Sequence, residues 1–315
     1  MSSAGKNTPH YIAKEASPNK LPASPIWHTI RWTSSSLKKT TELDQSGEVL
    51  DSPFEQGSAA VSAQASGDIG FEFTALSQDP FLEGVSRNVF IEDASNPNKS
   101  LLTVGGVDEM ATYTIVKHDK KLGFIEVFTG CRINQLTISA SNGAKITGTA
   151  SIVSTGYEMP SISPVVDPLP APDTKFNAAK NVKSFKILGN ETAGSACADT
   201  FEITINNQIE AVSCLGSGSL IPNRIKDANP VQVLLSSTAL LTNASKVWLP
   251  YVESRAPLTA GIGIEDNAGN KYDFDFTYLE LDNDGMSDLS ATEERTLDLE
   301  FRHVKQAMTI TRTTV

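Results

Sequence analysis

Apolar and polar residues alternate with a period of two along much of this chain. Ile69, Phe71 and Phe73 stand against Asp68, Gly70 and Glu72, and Phe201, Ile203 and Ile205 against Glu202, Thr204 and Asn206. Near the C-terminus, Tyr272, Phe274 and Phe276 oppose Asp273 and Asp275, and Leu297, Leu299 and Phe301 oppose Asp298 and Glu300. Such alternation buries one face of a strand and wets the other. Thr112–Val116 and Phe124–Ser139 are rich in β-branched and aromatic residues, VQVLLSS is a continuous apolar run, and Asn142-Gly143 is a hairpin signal. Long helical periodicity is absent. One short helix is predicted, with Asp79 as N-cap and Pro80 at its first position before FLEGV, and TNASKVW is a second candidate. The predicted class is mostly β.

Polar, proline-punctuated residues 1–24 have no apolar period and read as a flexible arm. Residues 160–172, PSISPVVDPLPAP, hold five prolines in thirteen positions. Such a stretch cannot pair as a central strand and favours a stiff spacer of about 3.1 Å per residue. The expected organisation is an arm over 1–24, a first β-domain over 25–159, a linker over 160–175 and a second β-domain over 176–315.

The order of elements repeats across that linker. A Gly/Ser-rich loop leads to a strand (DIGFEFTAL, VQVLLSSTAL) and then to a short candidate helix (DPFLEGV, TNASKVW). An aromatic strand follows (GFIEVFTG, KYDFDFTY), then an Asn-Gly or Asp-Gly turn and a final strand (KITGTASIV, RTLDLEF). Identity is low, so the match lies in pattern, and it predicts two tandem domains of one kind. Two unrelated β-domains are the other reading.

The chain has 315 residues and a formal net charge of −11, with 26 basic residues against 37 acidic ones. That balance excludes a protein that grips nucleic acid through surplus cations, but not one that lets it pass. Three cysteines without CxxC spacing suggest a reducing compartment, and neither a signal-type apolar stretch nor a membrane-length run is evident.

Candidate chemistry is sparse. Glu280-Leu-Asp282-Asn-Asp284-Gly285-Met-Ser-Asp288 matches part of a calcium loop, but its twelfth position is Ala291 and its flanks read as strands. A plain acidic turn and a weak cation site are the two readings. His10, His28, His118 and His303 are scattered without ligand spacing, and phosphate-loop and nucleophile-elbow motifs are missing. The paired acids Asp273/Asp275 and Asp298/Glu300 are spaced to share a strand face rather than to flank a scissile bond. No enzyme activity and no cofactor are expected.

In the opening block, Trp32 and Leu37, Ser66-Gly67-Asp68-Ile69, Phe71-Glu72-Phe73 and Asp79-Pro80-Phe81-Leu82-Glu83 form a series, followed later by GxGIEDNAGNKYDFDF from Gly261 to Phe276. With these features the chain resembles the major tail tube proteins of long-tailed (siphovirus-type) bacteriophages. The resemblance covers roughly residues 26–305. The family's basic spot in the first polar loop is missing, since residues 44–60 contain no Lys or Arg.

This resemblance implies two tandem tail-tube-type β-sandwich or barrel domains, each with a short helix, in a structural virion protein. It implies stacked rings whose bore conducts DNA: a trimeric pseudo-hexamer, or alternatively a hexamer. Implied partners are other copies, the tape measure protein, the tail terminator and distal tail proteins, with assembly in the host cytoplasm and residence in the virion tail. Six domains of about four strands would close a barrel of roughly 24 strands and about 48 Å backbone diameter.

On that reading, strand alternation makes Glu72, Glu202, Asp298 and Glu300 candidates to line the lumen, with Asp273 and Asp275 behind them. Loops 44–66 and 214–230 are candidates for contacts between rings. A β-rich adhesin or receptor-binding module and a carbohydrate-active enzyme are the alternatives.

Overall fold

The computed structural model describes residues 4–47, 57–106, 110–172, 176–193, 196–226, 229–283, 285–288 and 294–315. Strands hold 53% of the described residues and helices 8%, as the alternating pattern predicts. Before the Pro-rich segment the main elements are β1 (His10–Lys14), β2 (Lys38–Gln45), β3 (Ser58–Glu72), α1 (Asp79–Ser86), β4 (Asn96–Thr103), β5 (Tyr113–Asp119), β6 (Phe124–Ser141), β7 (Thr147–Ser154) and β8 (Gly156–Glu158). After it come β9 (Val182–Ile187), β10 (Ala198–Asn206), β11 (Gln232–Leu240), α2 (Pro250–Ser254), β12 (Leu258–Glu265), β13 (Lys271–Leu281), β14 (Thr296–His303) and β15 (Thr309–Thr313).

One antiparallel sheet runs through both sides in the order β2–β3–β7–β6–β10–β11–β14 and ends on residues 279–281 of β13. The long strands β6 and β13 belong to two layers. The N-terminal part of β6 leaves this sheet to pair with β5 and β8, and that of β13 pairs with β12 and β15. β1 then adds to β5, and β9 adds to β12. The apolar faces meet between the layers: Ile69, Ile138, Ile203 and Leu299 share one core with Ile262, Phe274 and Ile310. Phe185 of β9 packs edge-on to Phe201 of β10, with ring centroids 6.0 Å apart.

The pairings match on the two sides. β2–β3, β3–β7, β7–β6, β6–β5, β5–β1 and β6–β8 find counterparts in β10–β11, β11–β14, β14–β13, β13–β12, β12–β9 and β13–β15. Both α1 and α2 begin at a proline within the first turn and end on an arginine in the left-handed region, Arg87 at φ 54° and Arg255 at φ 50°.

Three local details differ from the sequence reading. HYIAK, inside the expected flexible arm, is strand β1, with Tyr11, Ile12 and Ala13 buried. Five residues show little periodicity, and the partner β5 lies about a hundred positions away. Helix α1 has Gln78 rather than Asp79 as its N-cap, because the Asp79 carboxylate is taken by Tyr272 and Arg312. β4 crosses to the other side of the chain and pairs with β15.

The Pro-rich segment lies against the first half. The Leu169 N–H donates to the Trp27 carbonyl (2.7 Å), and Val165 packs on Tyr11, Trp27, Val116 and Val127.

His10 is 2% exposed, its ring 4.6 Å from that of Trp32 and its Nδ1 2.9 Å from the Thr8 carbonyl. Burial lowers its pKa from 6.5 to about 4. Between those values the unfolded chain binds more protons. The contribution is therefore complete above pH 6.5 and lost as pH falls to about 4, on the order of 3 kcal/mol. The denaturation midpoint should drop across that window in the native protein and drop less in His10→Phe, which keeps the ring packing. Equal slopes for the two proteins would show that His10 is not the group responsible.

Candidate functional site

Directly paired residues of an antiparallel ladder project from the same side of a sheet. One row therefore crosses six strands with Glu72, Thr147, Ser139, Glu202, Ser236 and Glu300 all on one face. Asp282 extends it, its N–H donating to the Glu300 carbonyl at 2.8 Å. The next row holds Thr149, Thr137, Thr204, Leu234 and Arg302, and a row on the other side holds Ser141, Thr200, Thr238 and Asp298. Of the six singled-out carboxylates, the structure thus gathers Glu72, Glu202, Asp298 and Glu300 on the face opposite the core.

Asp273 and Asp275 are not brought there. They sit on the N-terminal part of β13, paired with Gly263 and Thr311 and with Gly261 and Thr309. Phe274 between them is buried in the core, so both acids point outward from the second layer. Partial burial, with Asp273 close by, raises the pKa of Asp275, and Lys271 holds Asp273 at 2.8 Å.

The shared face is polar rather than uniformly acidic. Glu72 pairs with Lys145 at 2.5 Å, while Asp282 accepts from Arg255 at 2.8 Å and from Arg302 at 3.0 Å. Thr238 donates to Asp298 at 2.8 Å. Hydroxyls fill the middle, with Thr137 and Thr204 3.4 Å apart and Ser139 and Thr147 3.2 Å apart.

In the acidic turn, the guanidinium groups occupy both oxygens of Asp282, and Glu280 has Lys305 at 3.8 Å. Asp284 and Ala291 lie outside the described residues. Among the described residues, no three metal-ligating side chains converge. Cys131 is fully buried, and burial pushes its thiol up to about 12, far from a reactive thiolate.

The two sides join at a seam that the sequence reading did not find. Residues Gln135–Ser141 of β6 pair with Thr200–Asn206 of β10. Just beyond, fully buried Asn207 donates to the carbonyls of Val85 (3.0 Å) and Ile133 (2.9 Å) and accepts from Arg87 Nε (2.9 Å). A second node places the Tyr272 hydroxyl 2.7 Å and the Arg312 guanidinium 2.5 Å from Asp79, with Arg312 also over the Phe90 ring. The paired segments PFLEGVSR and PYVESR were the available signal: both helices enter on proline and leave on arginine.

Each end of the shared sheet is an open edge among the described residues. All eight residues of β2 are exposed and pair only with β3, while 280–281 and 285–286 pair only with β14.

The model of the phage tail tube protein family matches residues 5–302. The chain belongs to that family, which makes it a structural component of the virion tail that self-assembles into a tube. No curated protein matches it.

The seam makes a stability prediction. Asn207→Leu strips hydrogen bonds from the buried Val85 and Ile133 carbonyls and from half-buried Arg87 and should cost about 2–3 kcal/mol. Arg312→Ala leaves Asp79 without its cation and should cost about 3 kcal/mol. Urea unfolding measures both; losses under about 0.5 kcal/mol, the level of an ordinary surface change, would show that these nodes do not hold the halves together.

Proposed function

We propose that three copies of this chain form a pseudo-hexameric ring and that stacked rings make a tube through which DNA leaves the virion. The observation that carries this reading is the continuous sheet: two strand sets of matching order share one seam, and the same two kinds of edge remain open at its ends. The last strand of the first set pairs with the first strand of the second. The remaining last strand then offers its edge to β2 of the next copy. Such a head-to-tail contact closes into a ring when the rotation per unit divides a full turn. Closure also removes two edges that would otherwise template aggregation.

Tandem units over about 25–159 and 176–315, arising by duplication, would supply eight strands per chain. Three chains then give the roughly 24-strand, 48 Å barrel. The polar face becomes the bore. Glu202, Asp298 and Glu300 would supply its negative charge, with Glu72 tempered by Lys145, and the threonine and serine rows would offer hydration without cationic grip. Phosphates would be repelled rather than held, so the duplex slides. Residues 44–66, whose described ends belong to the β2–β3 hairpin rather than to a loop, and residues 214–230 would meet neighbouring rings. The tape measure protein would occupy the bore before ejection, with the terminator and distal tail proteins at the two ends, all after assembly in the host cytoplasm.

Electron cryo-microscopy of the concentrated protein should show stacked rings with threefold symmetry and a central hole lined by β10, β11 and β14. A compact particle without a hole would overturn the reading. Phage carrying Glu202→Lys and Glu300→Lys together should still build tails but eject DNA more slowly, with the delay shrinking as salt rises. Unchanged ejection at low salt would remove the role assigned to these carboxylates.

A further inference from the structure

The two rims of the shared sheet, reached along its strands rather than across them, differ in shape and chemistry. At one rim, residues 58–64 of β3 run past β7 and pair with β2, with the Ala63 N–H donating to the Leu220 carbonyl (2.9 Å), so a hairpin projects beyond the other strands. It carries exposed Leu43 (62%) and Val61 (50%), with Glu42 and Asp44 flanking the leucine. This is the rim where β10 finishes, at Asn206.

At the opposite rim, where β10 begins, a groove of about 280 Å³ opens between β9 and β10. Phe185 and Phe201 form its floor, Val182 and Ala198 its walls, and Lys183 and exposed Cys197 its lip. Lys180 is exposed beside it, Lys186 is paired with Glu191 at 3.3 Å, and Asp199 is the remaining acid.

We infer that this groove seats the Leu43-bearing hairpin of a second copy in the next ring along the tube. The inference rests on the tube reading and adds the receiving surface to it. A projecting apolar side chain between two acids matches a groove that holds two phenylalanines and Lys183, with exposed Lys180 beside it. The seven residues of β10 from Thr200 to Asn206 alone separate the two features by roughly 20 Å, so the hairpin cannot reach the groove of its own chain. Because every copy carries both parts at opposite rims, the contact is heterologous and repeats along an axis, as an open stack requires. Burying the leucine removes apolar surface from water and supplies the attraction, and the charges set the orientation.

The test uses full-length protein with Cys214→Ser, leaving Cys197 as the exposed native thiol, and adds Leu43→Cys. After assembly and treatment with a short bis-maleimide, denaturing gels should show a ladder of multimers that disappears in Cys197→Ser. A separate variant, Leu43→Asp, should weaken ring stacking roughly tenfold or more while single rings persist. Tubes in the microscope without a Cys197-dependent ladder would overturn the groove assignment and leave the tube reading standing. So would a ladder obtained from Leu215→Cys but not from Leu43→Cys. Native protein that forms neither rings nor tubes would bring down the tube reading itself.

Discussion

The seam between β6 and β10 is the constraint on which the rest of the structure depends. A strand edge leaves its N–H and C=O groups unpaired, and here the edge of one strand set is satisfied by the first strand of the next. That pairing fixes register across six strands at once, because a slip of one residue would turn Ile203 and Leu136 toward water and Glu202 toward the core. It also orients the two sets relative to one another, so their apolar faces meet in a common core.

Around the seam, the long strands do work that short ones could not. β6 and β13 each begin in one layer and end in the other, which ties the layers together covalently. The polar nodes Asn207 and Asp79–Tyr272–Arg312 then lock helix α1 to both strand sets. Buried polar groups are costly unless fully paired, so these side chains specify a single arrangement of the halves rather than merely adding attraction.

The same geometry connects fold to function. A sheet with one greasy face, one wet face and, among the described residues, two open edges is an incomplete object, and on the proposed reading further copies of the chain complete it. Membership in the phage tail tube family agrees with that incompleteness. The wet face is a mixture of hydroxyls, carboxylates and ion pairs. On the proposed reading, such a mixture lets a polyanion pass without recognising it.

Period-two alternation was enough to predict the mostly β class, the two matching series of elements and the placing of Glu72, Glu202, Asp298 and Glu300 each on the wet side of its own strand. Side-chain direction in a strand follows from position parity alone. Parity does not say which sheet a strand joins. Asp273 and Asp275 share the alternation of the other four, yet they face outward from the second layer, because β13 bends between layers and its N-terminal part pairs with β12 and β15. Strand β1 was hidden for a related reason, since its burial comes from pairing with β5 far along the chain. Local residues set which side of a strand is wet. Only contacts distant in sequence, which fix strand order and bending, decide what that wet side faces.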